Sequence, residues 1–251
     1  MTRLDPPFPD VPLALLAGGA GTRVQSVSRN VPKALFEVNG RPFVAHQLEL
    51  LRRNGVRRVV FCIGHLGDQV QCYVRDGAVF GVDVQYSRDG ATPLGTAGAL
   101  KNAERLLGPL FWVMYGDTYL DVDFAEVFRS FRDSPALGLM TVFKNENRLD
   151  HSNVTYRDGR LLAYDKRDRR REMMHIDYGL SLLRRAALAG LTPNAGADLA
   201  DLYHNLVARG AMQGFEVHRR FYEIGTPGAL AETRQFFERT PWTSPRATLT
   251  T

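Results

Sequence analysis

Leu13-Ala14-Leu15-Leu16-Ala17-Gly18-Gly19-Ala20-Gly21-Thr22-Arg23, with Pro32-Lys33 downstream, is the stretch on which the reading of this 251-residue chain turns. Residues 12–17 read as a buried strand that runs straight into a glycine loop. Glycines placed there let backbone N–H groups approach phosphate oxygens closely. Arg23 can grip a phosphate as a fork, and Lys33 can add a compact, mobile cation. Two familiar phosphate loops are excluded. A P-loop needs Gly-Lys before Ser or Thr, and the chain contains no Gly-Lys dipeptide. A dinucleotide fingerprint needs a third small residue where Val24 stands.

Working outward, residues 42–54 form an amphipathic helical pattern closed by Asn54-Gly55. A β-branched run at 56–63 reads as a strand, 68–76 as a short helix, 82–86 as a strand and 95–107 as a helix. Residues 111–115 form an apolar strand that ends at Gly116-Asp117. This β-α-β-α-β alternation predicts a mostly parallel sheet flanked by helices. From about residue 137 the texture turns to strands, at 137–143, 154–157, 160–164 and 176–183. The hairpin signal Asp158-Gly159 lies between the second and third of these. A helix at 199–209, strands at 214–218 and 221–224, and a helix at 227–238 complete the pattern, with Thr226 as N-cap and Pro227 in the first turn. Residues 1–240 read as one domain and 241–251 as a flexible polar tail.

The bulk composition narrows the function classes. Hydrophobic residues make up 44% and charged residues 24%, an ordinary globular balance. The longest apolar runs, such as residues 11–17, are too short to span a bilayer, and the N-terminus has no apolar signal core. The chain therefore reads as soluble and cytoplasmic, without a membrane partner. Its two cysteines, Cys62 and Cys72, read as reduced buried thiols, and no Cys/His group has zinc-ligand spacing. The net charge of +5 comes from scattered basic residues, so nucleic acid is not a predicted partner. Only four of the 32 basic residues are lysines: Lys33, Lys101, Lys144 and Lys166.

The loop Gly18-Gly19-Ala20-Gly21-Thr22-Arg23 with Pro32-Lys33 resembles the signature of the sugar-1-phosphate nucleotidyltransferases, and the resemblance runs from about residue 13 to 237. It implies a Rossmann-like, glycosyltransferase-A-type α/β fold with a smaller, β-rich, sugar-facing part, acting on an NTP and a sugar 1-phosphate with Mg2+. On this likeness Leu16, Ala17, Gly18, Gly19, Gly21 and Thr22 are nucleotide-binding, and Arg23 and Lys33 are catalytic. Pro93-Leu94-Gly95-Thr96-Ala97-Gly98 resembles the base-contacting segment, closest to its guanylyltransferase form. A glycine turn there would lay backbone against the base, so Gly95 and Thr96 join the nucleotide set; an N-cap by Thr96 is the plainer reading. Asp117, at a strand end, matches a metal ligand, whereas Asp121 and Asp123 read as turn and cap residues. Tyr164-Asp165-Lys166 stands where the family has Glu-Lys, and its Lys166 would contact the sugar phosphate. Arg167 to Arg171 read as a solvated loop. Asp177 and Gly179 replace the usual Asn-x-Gly of a sugar-contacting strand, and Asn153 reads either as a donor and acceptor for a sugar hydroxyl or as an ordinary turn residue before a strand. Glu223 stands where the second metal ligand is usually Asp. GTP with a mannose- or heptose-type 1-phosphate is favoured. Alternatives are cytidylyl or uridylyl transfer to glucose 1-phosphate, N-acetylmuramate 1-phosphate or phosphocholine, and a non-catalytic nucleotide-sugar-binding subunit. A homo-oligomer is left open.

Overall fold

The computed structural model describes residues 10–19, 30–168 and 170–239. Gly21, Thr22 and Arg23 lie outside the described residues, as does the tail at 241–251. In chain order the elements are β1 (Leu13–Leu16), a small hairpin of β2 (Glu37–Val38) and β3 (Arg41–Pro42), α1 (Phe43–Arg53), β4 (Arg58–Ile63), α2 (Gly67–Val74), β5 (Asp83–Arg88), α3 (Gly95–Asn102), α4 (Glu104–Leu107) and β6 (Leu110–Tyr115). There follow β7 (Thr118–Tyr119), α5 (Phe124–Phe131), β8 (Gly138–Lys144), β9 (Val154–Arg157), β10 (Arg160–Tyr164), β11 (His175–Arg184), α6 (Leu199–Ala208), β12 (Met212–Val217), β13 (Tyr222–Glu223) and α7 (Pro227–Arg239).

Nine strands make one sheet in the order β5-β4-β1-β6-β11-β8-β12-β10-β9. The first four pair in parallel, as the alternation of strands and helices requires. The expectation of a mostly parallel sheet holds for this half only. Beyond β6 the pairing is antiparallel except for β12 against β8, so the whole sheet is mixed. The physical reason is local: Asp158-Gly159 closes a tight hairpin between β9 and β10, and no long crossover is available there. The β-rich part continues the same sheet.

β1 lies inside the sheet, between β4 and β6, and Leu13, Ala14 and Leu15 are fully buried. Leu13 and Leu15 enter the core on one face of the sheet with Leu48, Phe61 and Trp112, while Ala14 enters the other with Leu100, Phe111 and Tyr203. A strand buried on both faces has no reason to alternate, which accounts for its continuous apolar run. A third, smaller core of Phe36, Val38, Phe43, Ile224, Leu230 and Phe237 fastens α7 and the neighbourhood of β13 to the start of α1. The Thr226 side chain accepts the Ala229 N–H at 3.2 Å, capping α7. The segment read as one helix at 95–107 is two, α3 and α4. Both cysteines are free thiols. Cys62 is buried, but Cys72, on α2, is exposed, correcting the expectation of two buried thiols.

Candidate functional site

The parallel strands β1, β4, β5 and β6 end on one edge of the sheet, and the segments that leave them enclose a cleft of about 560 Å3. Its lining includes Leu16, Ala17, Gly18, Gly19, Lys33, Gly95, Thr96, Tyr115 and Asp117, together with Cys62 and Asp89. This is the edge where open α/β sheets bind ligands. The backbones after β1, β4 and β6 approach too closely for side chains. A Cβ on Gly18 would sit 3.2 Å from the Gly64 N, and one on Gly116 only 2.7 Å from the Leu16 carbonyl oxygen. That oxygen also accepts the Gly116 N–H at 2.9 Å, so the glycine loop and the strand end carrying Asp117 are joined directly.

The 93–98 segment lines the cleft through Gly95 and Thr96 and packs behind against the chain at 195–197. Gly95 has φ +68, and a Cβ on it would meet the Ala197 oxygen at 2.6 Å; one on Gly98 would meet the Ala195 oxygen at the same distance. The glycines here are dictated by the chain at 195–197, with Ala97 N–H donating to the Ala197 carbonyl and Ala197 N–H to that of Leu94. Nor is Thr96 the N-cap of α3, which is Leu94. The Thr96 hydroxyl donates to Asp198 at 3.1 Å and accepts the Leu199 N–H at 2.7 Å, tying α3 to the first turn of α6.

Asp117 follows β6, and its Oδ2 lies 3.2 Å from the Lys33 Nζ. Lys33 itself sits in a short 3-10 turn at Lys33–Leu35 that follows Pro32. Across the gap, β13 pairs with β7 so that Glu223 stands opposite Thr118, and Ile224 N–H donates to the Asp117 carbonyl at 3.0 Å. A Cβ placed on Gly225 would be 3.4 Å from Glu223 Oε2 and 3.7 Å from Asp117 Oδ2, so those two oxygens are at most about 7 Å apart. Two carboxylates 106 positions apart in sequence and one lysine thus meet at the rim of the cleft. Among the described residues no group of three or more His, Cys, Asp or Glu side chains is arranged to hold a metal. Asp123 caps α5 through the Ala125 and Glu126 N–H groups, and Asp121 pairs with Arg219 at 2.7 Å, so both serve structural ends.

On the other side of Tyr115 the residues read as sugar-binding come together. The register between β11 and β8 shifts between Asp177 and Ser181, and Gly179, at φ +98, lies inside that bulge. A bulge of this kind re-aims a side chain. Asp177 is turned into the protein, where its Oδ1 accepts the Gly179 N–H at 3.0 Å and its Oδ2 meets the Tyr115 hydroxyl at 3.5 Å. The Asn153 Oδ1 accepts the Asp177 N–H at 3.0 Å. Lys166 Nζ lies 3.9 Å from Asp177 Oδ2. Burial pushes the Asp177 carboxyl above the ordinary carboxylate range, against the pull of Lys166, the Gly179 N–H and the Tyr115 hydroxyl. Asp165, by contrast, folds back to accept the Arg167 and Asp168 N–H groups and closes a turn. Arg167, Arg170 and Arg171 are exposed, Arg167 pairing with Asp201 and Arg170 with Asp168.

Two residues escaped the sequence reading. Tyr115 carries its hydroxyl to Asp177 and Lys166 while lining the cleft. Gln47, fully buried on α1, donates to the carbonyls of both Tyr115 and Thr118 and so fixes the turn that presents Asp117. A polar residue on the apolar face of the 42–54 helix was the available signal.

Comparison with known proteins places this geometry in context. A family model described as "Nucleotidyl transferase" matches residues 14–152. A UTP–glucose-1-phosphate uridylyltransferase of Synechocystis sp. is 27% identical over 78% of the chain and 55% of its own length. A D-glycero-α-D-manno-heptose 1-phosphate guanylyltransferase of Campylobacter jejuni is 30% identical over 45% of the chain and 50% of its own length. The chain thus spans about half the length of these curated relatives. The crystal structure of HddC from Yersinia pseudotuberculosis complexed with GMP-PN superposes with a TM-score of 0.74 at 23% identity, over 90% of this chain and 99% of that one, a likeness of fold.

Proposed function

The chain belongs to the nucleotidyl transferase family, and from that premise we propose that it transfers a nucleotidyl group from an NTP to a sugar 1-phosphate, releasing pyrophosphate. The observation that carries the reading is the meeting of Lys33, Asp117 and Glu223 at the rim of a glycine-walled cleft. GTP with a mannose- or heptose-type 1-phosphate is the favoured pair. The Pro93-to-Gly98 segment and the heptose 1-phosphate guanylyltransferase relative both support it.

A sugar 1-phosphate is already an oxyanion at neutral pH, so the reaction needs no general base. One of its oxygens forms a bond to the α-phosphorus, the bond from that phosphorus to the bridging oxygen breaks, and pyrophosphate leaves with the electron pair. Little remains for side chains except positioning and neutralising charge. The backbone at Leu16 to Gly19 approaches the triphosphate. Lys33 neutralises charge near the α-phosphate, and Lys166 receives the phosphate of the acceptor. Arg23, Gly21 and Thr22 complete the triphosphate grip on the strength of the resemblance.

The donor set fits a small hard cation. Two carboxylates facing one gap, with oxygen donors alone, are what Mg2+ takes when substrate phosphates and water complete its shell. Asp117 and Glu223 would hold it. Bound there, Mg2+ supplies Lewis-acid stabilisation of phosphoryl oxygen charge.

The test is a matrix of NTPs against sugar 1-phosphates, with phosphocholine included, read by pyrophosphate release in the presence of Mg2+. GTP with a mannose- or heptose-type acceptor is expected to give the highest kcat/KM. Nucleotide-sugar binding without turnover anywhere in the matrix would refute the reading and favour a regulatory subunit.

A further inference from the structure

We propose that Asp177 acts through Lys166, as a positioning residue that with Tyr115 fixes the ammonium group where the acceptor phosphate must arrive, and that it is not a direct ligand of the sugar. The inference rests on the function proposed above and gives Asp177 a different task from the sugar contact its sequence position suggests.

Asp177 has little surface to offer a ligand: its side chain is 3% exposed, against 40% for Lys166. Its Oδ1 holds the Gly179 N–H, and its Oδ2 faces the Tyr115 hydroxyl and the Lys166 ammonium. Little of that carboxylate is left open to a sugar hydroxyl. The three groups form a closed triangle, because the Lys166 Nζ is also 3.5 Å from the Tyr115 hydroxyl and 5.3 Å from the centre of its ring. The carboxylate is itself immobilised, its own N–H held by Asn153 and its turn set by the bulge at Gly179. A lysine stem is flexible and loses much rotamer freedom when fixed. A buried, immobile carboxylate and a tyrosine hydroxyl, both facing the ammonium and touching each other, lower that cost before the substrate arrives. Tyr115 is followed directly by Gly116-Asp117, so the holder of Lys166 and the acid beside Lys33 share one strand end. The spacing between the acceptor's cation and the donor's acid is thereby fixed. Asn at position 177 would keep the acceptor for Gly179 N–H and lose the charge that holds Lys166.

The experiment is a double-mutant cycle on the full chain, with the acceptor varied at saturating NTP. Asp177→Asn is expected to lower kcat/KM for the acceptor about tenfold and to leave KM for the NTP within about twofold of the unmodified protein. Lys166→Met is expected to cost more. In the Lys166→Met background, adding Asp177→Asn is expected to change kcat/KM by less than about twofold, because a residue that works through another has nothing left to position. Tyr115→Phe, which keeps the ring and removes the hydroxyl, should show the same loss of effect in that background. Equal losses from Asp177→Asn with and without Lys166 would overturn the proposal and return Asp177 to the sugar or to a purely structural role. An unmodified protein that turns over no acceptor would sink the proposed function itself, whereas turnover with additive losses would sink only the positioning role.

Discussion

Replacing Gly116 with alanine tests the joint on which the cleft depends. The added methyl would sit 2.7 Å from the Leu16 carbonyl oxygen and 3.1 Å from the Ala17 Cα and Cβ. Two of those three contacts are backbone, so no flexible side-chain end can swing away. The Leu16 carbonyl must move, and it is the acceptor of the Gly116 N–H. Overpacking of this kind costs about 1–3 kcal/mol. For a chain of this length each kcal/mol lowers Tm by about 2–4 °C, so a loss of about 4–8 °C is expected for a mid-range cost. The same displacement separates the glycine loop from Asp117. Turnover should fall on the order of 10²-fold, the scale of one misplaced catalytic contact. Gly228→Ala is the matched control: it lies in the first turn of α7, and a Cβ there meets nothing within 4 Å. Alanine in a helix is favoured over glycine by about 0.5–1 kcal/mol, so that variant should be neutral or slightly more stable. Differential scanning fluorimetry and a pyrophosphate-release assay read both quantities. A Gly116→Ala protein with the Tm and turnover of the unmodified chain would refute the close approach of β1 and β6 described here.

The remaining predictions address separate parts of the molecule. Lys33→Ala and Asp117→Ala are each expected to lower pyrophosphate release on the order of 10²–10³-fold with circular dichroism unchanged. Thr96→Val removes both hydroxyl bonds to the start of α6; the lost bonds, with the Leu199 N–H left without this acceptor, cost about 1–3 kcal/mol and should appear as a lower urea midpoint. Burial raises the Cys62 thiol to about 12, while Cys72 is exposed. Iodoacetamide at pH 8 should therefore add one label to the native chain and two after denaturation, by mass spectrometry. The Asp177 carboxyl is raised above its unfolded value. Its contribution to stability is full below the unfolded pKa and is lost as pH rises through the folded one, so the Tm of Asp177→Asn should gain on the unmodified protein as pH rises above the unfolded value.

The sequence made the parallel half of the fold legible because each feature there has a local cause. β1 is apolar along its whole length since both faces are covered, and Asn54-Gly55 ends α1 as turn chemistry requires. The antiparallel half was legible as strands but not as a continuation of the same sheet, since nothing local in 137–183 states which edge the strands join. In the site, Lys33, Asp117 and Glu223 could be picked from their motifs, yet their meeting depends on the two-residue pairing of β7 with β13. Gly95 and Gly98 carried a motif whose geometric demand comes from residues 195–197, some hundred positions away. Asp177 was recognised as a site position, but its inward turn follows from the bulge at Gly179, a register feature that a single strand does not display.

Asp117 and Glu223 are proposed to hold one divalent ion jointly, on a nucleotide bound in the cleft. Mn2+ titrated into the protein with a non-hydrolysable GTP analogue, with bound ion followed by electron paramagnetic resonance, decides this. One nucleotide-dependent site is expected, weakened at least about tenfold by Asp117→Asn and by Glu223→Gln alike. An unaltered Mn2+ affinity in Glu223→Gln, with Asp117→Asn impaired, would contradict the shared site.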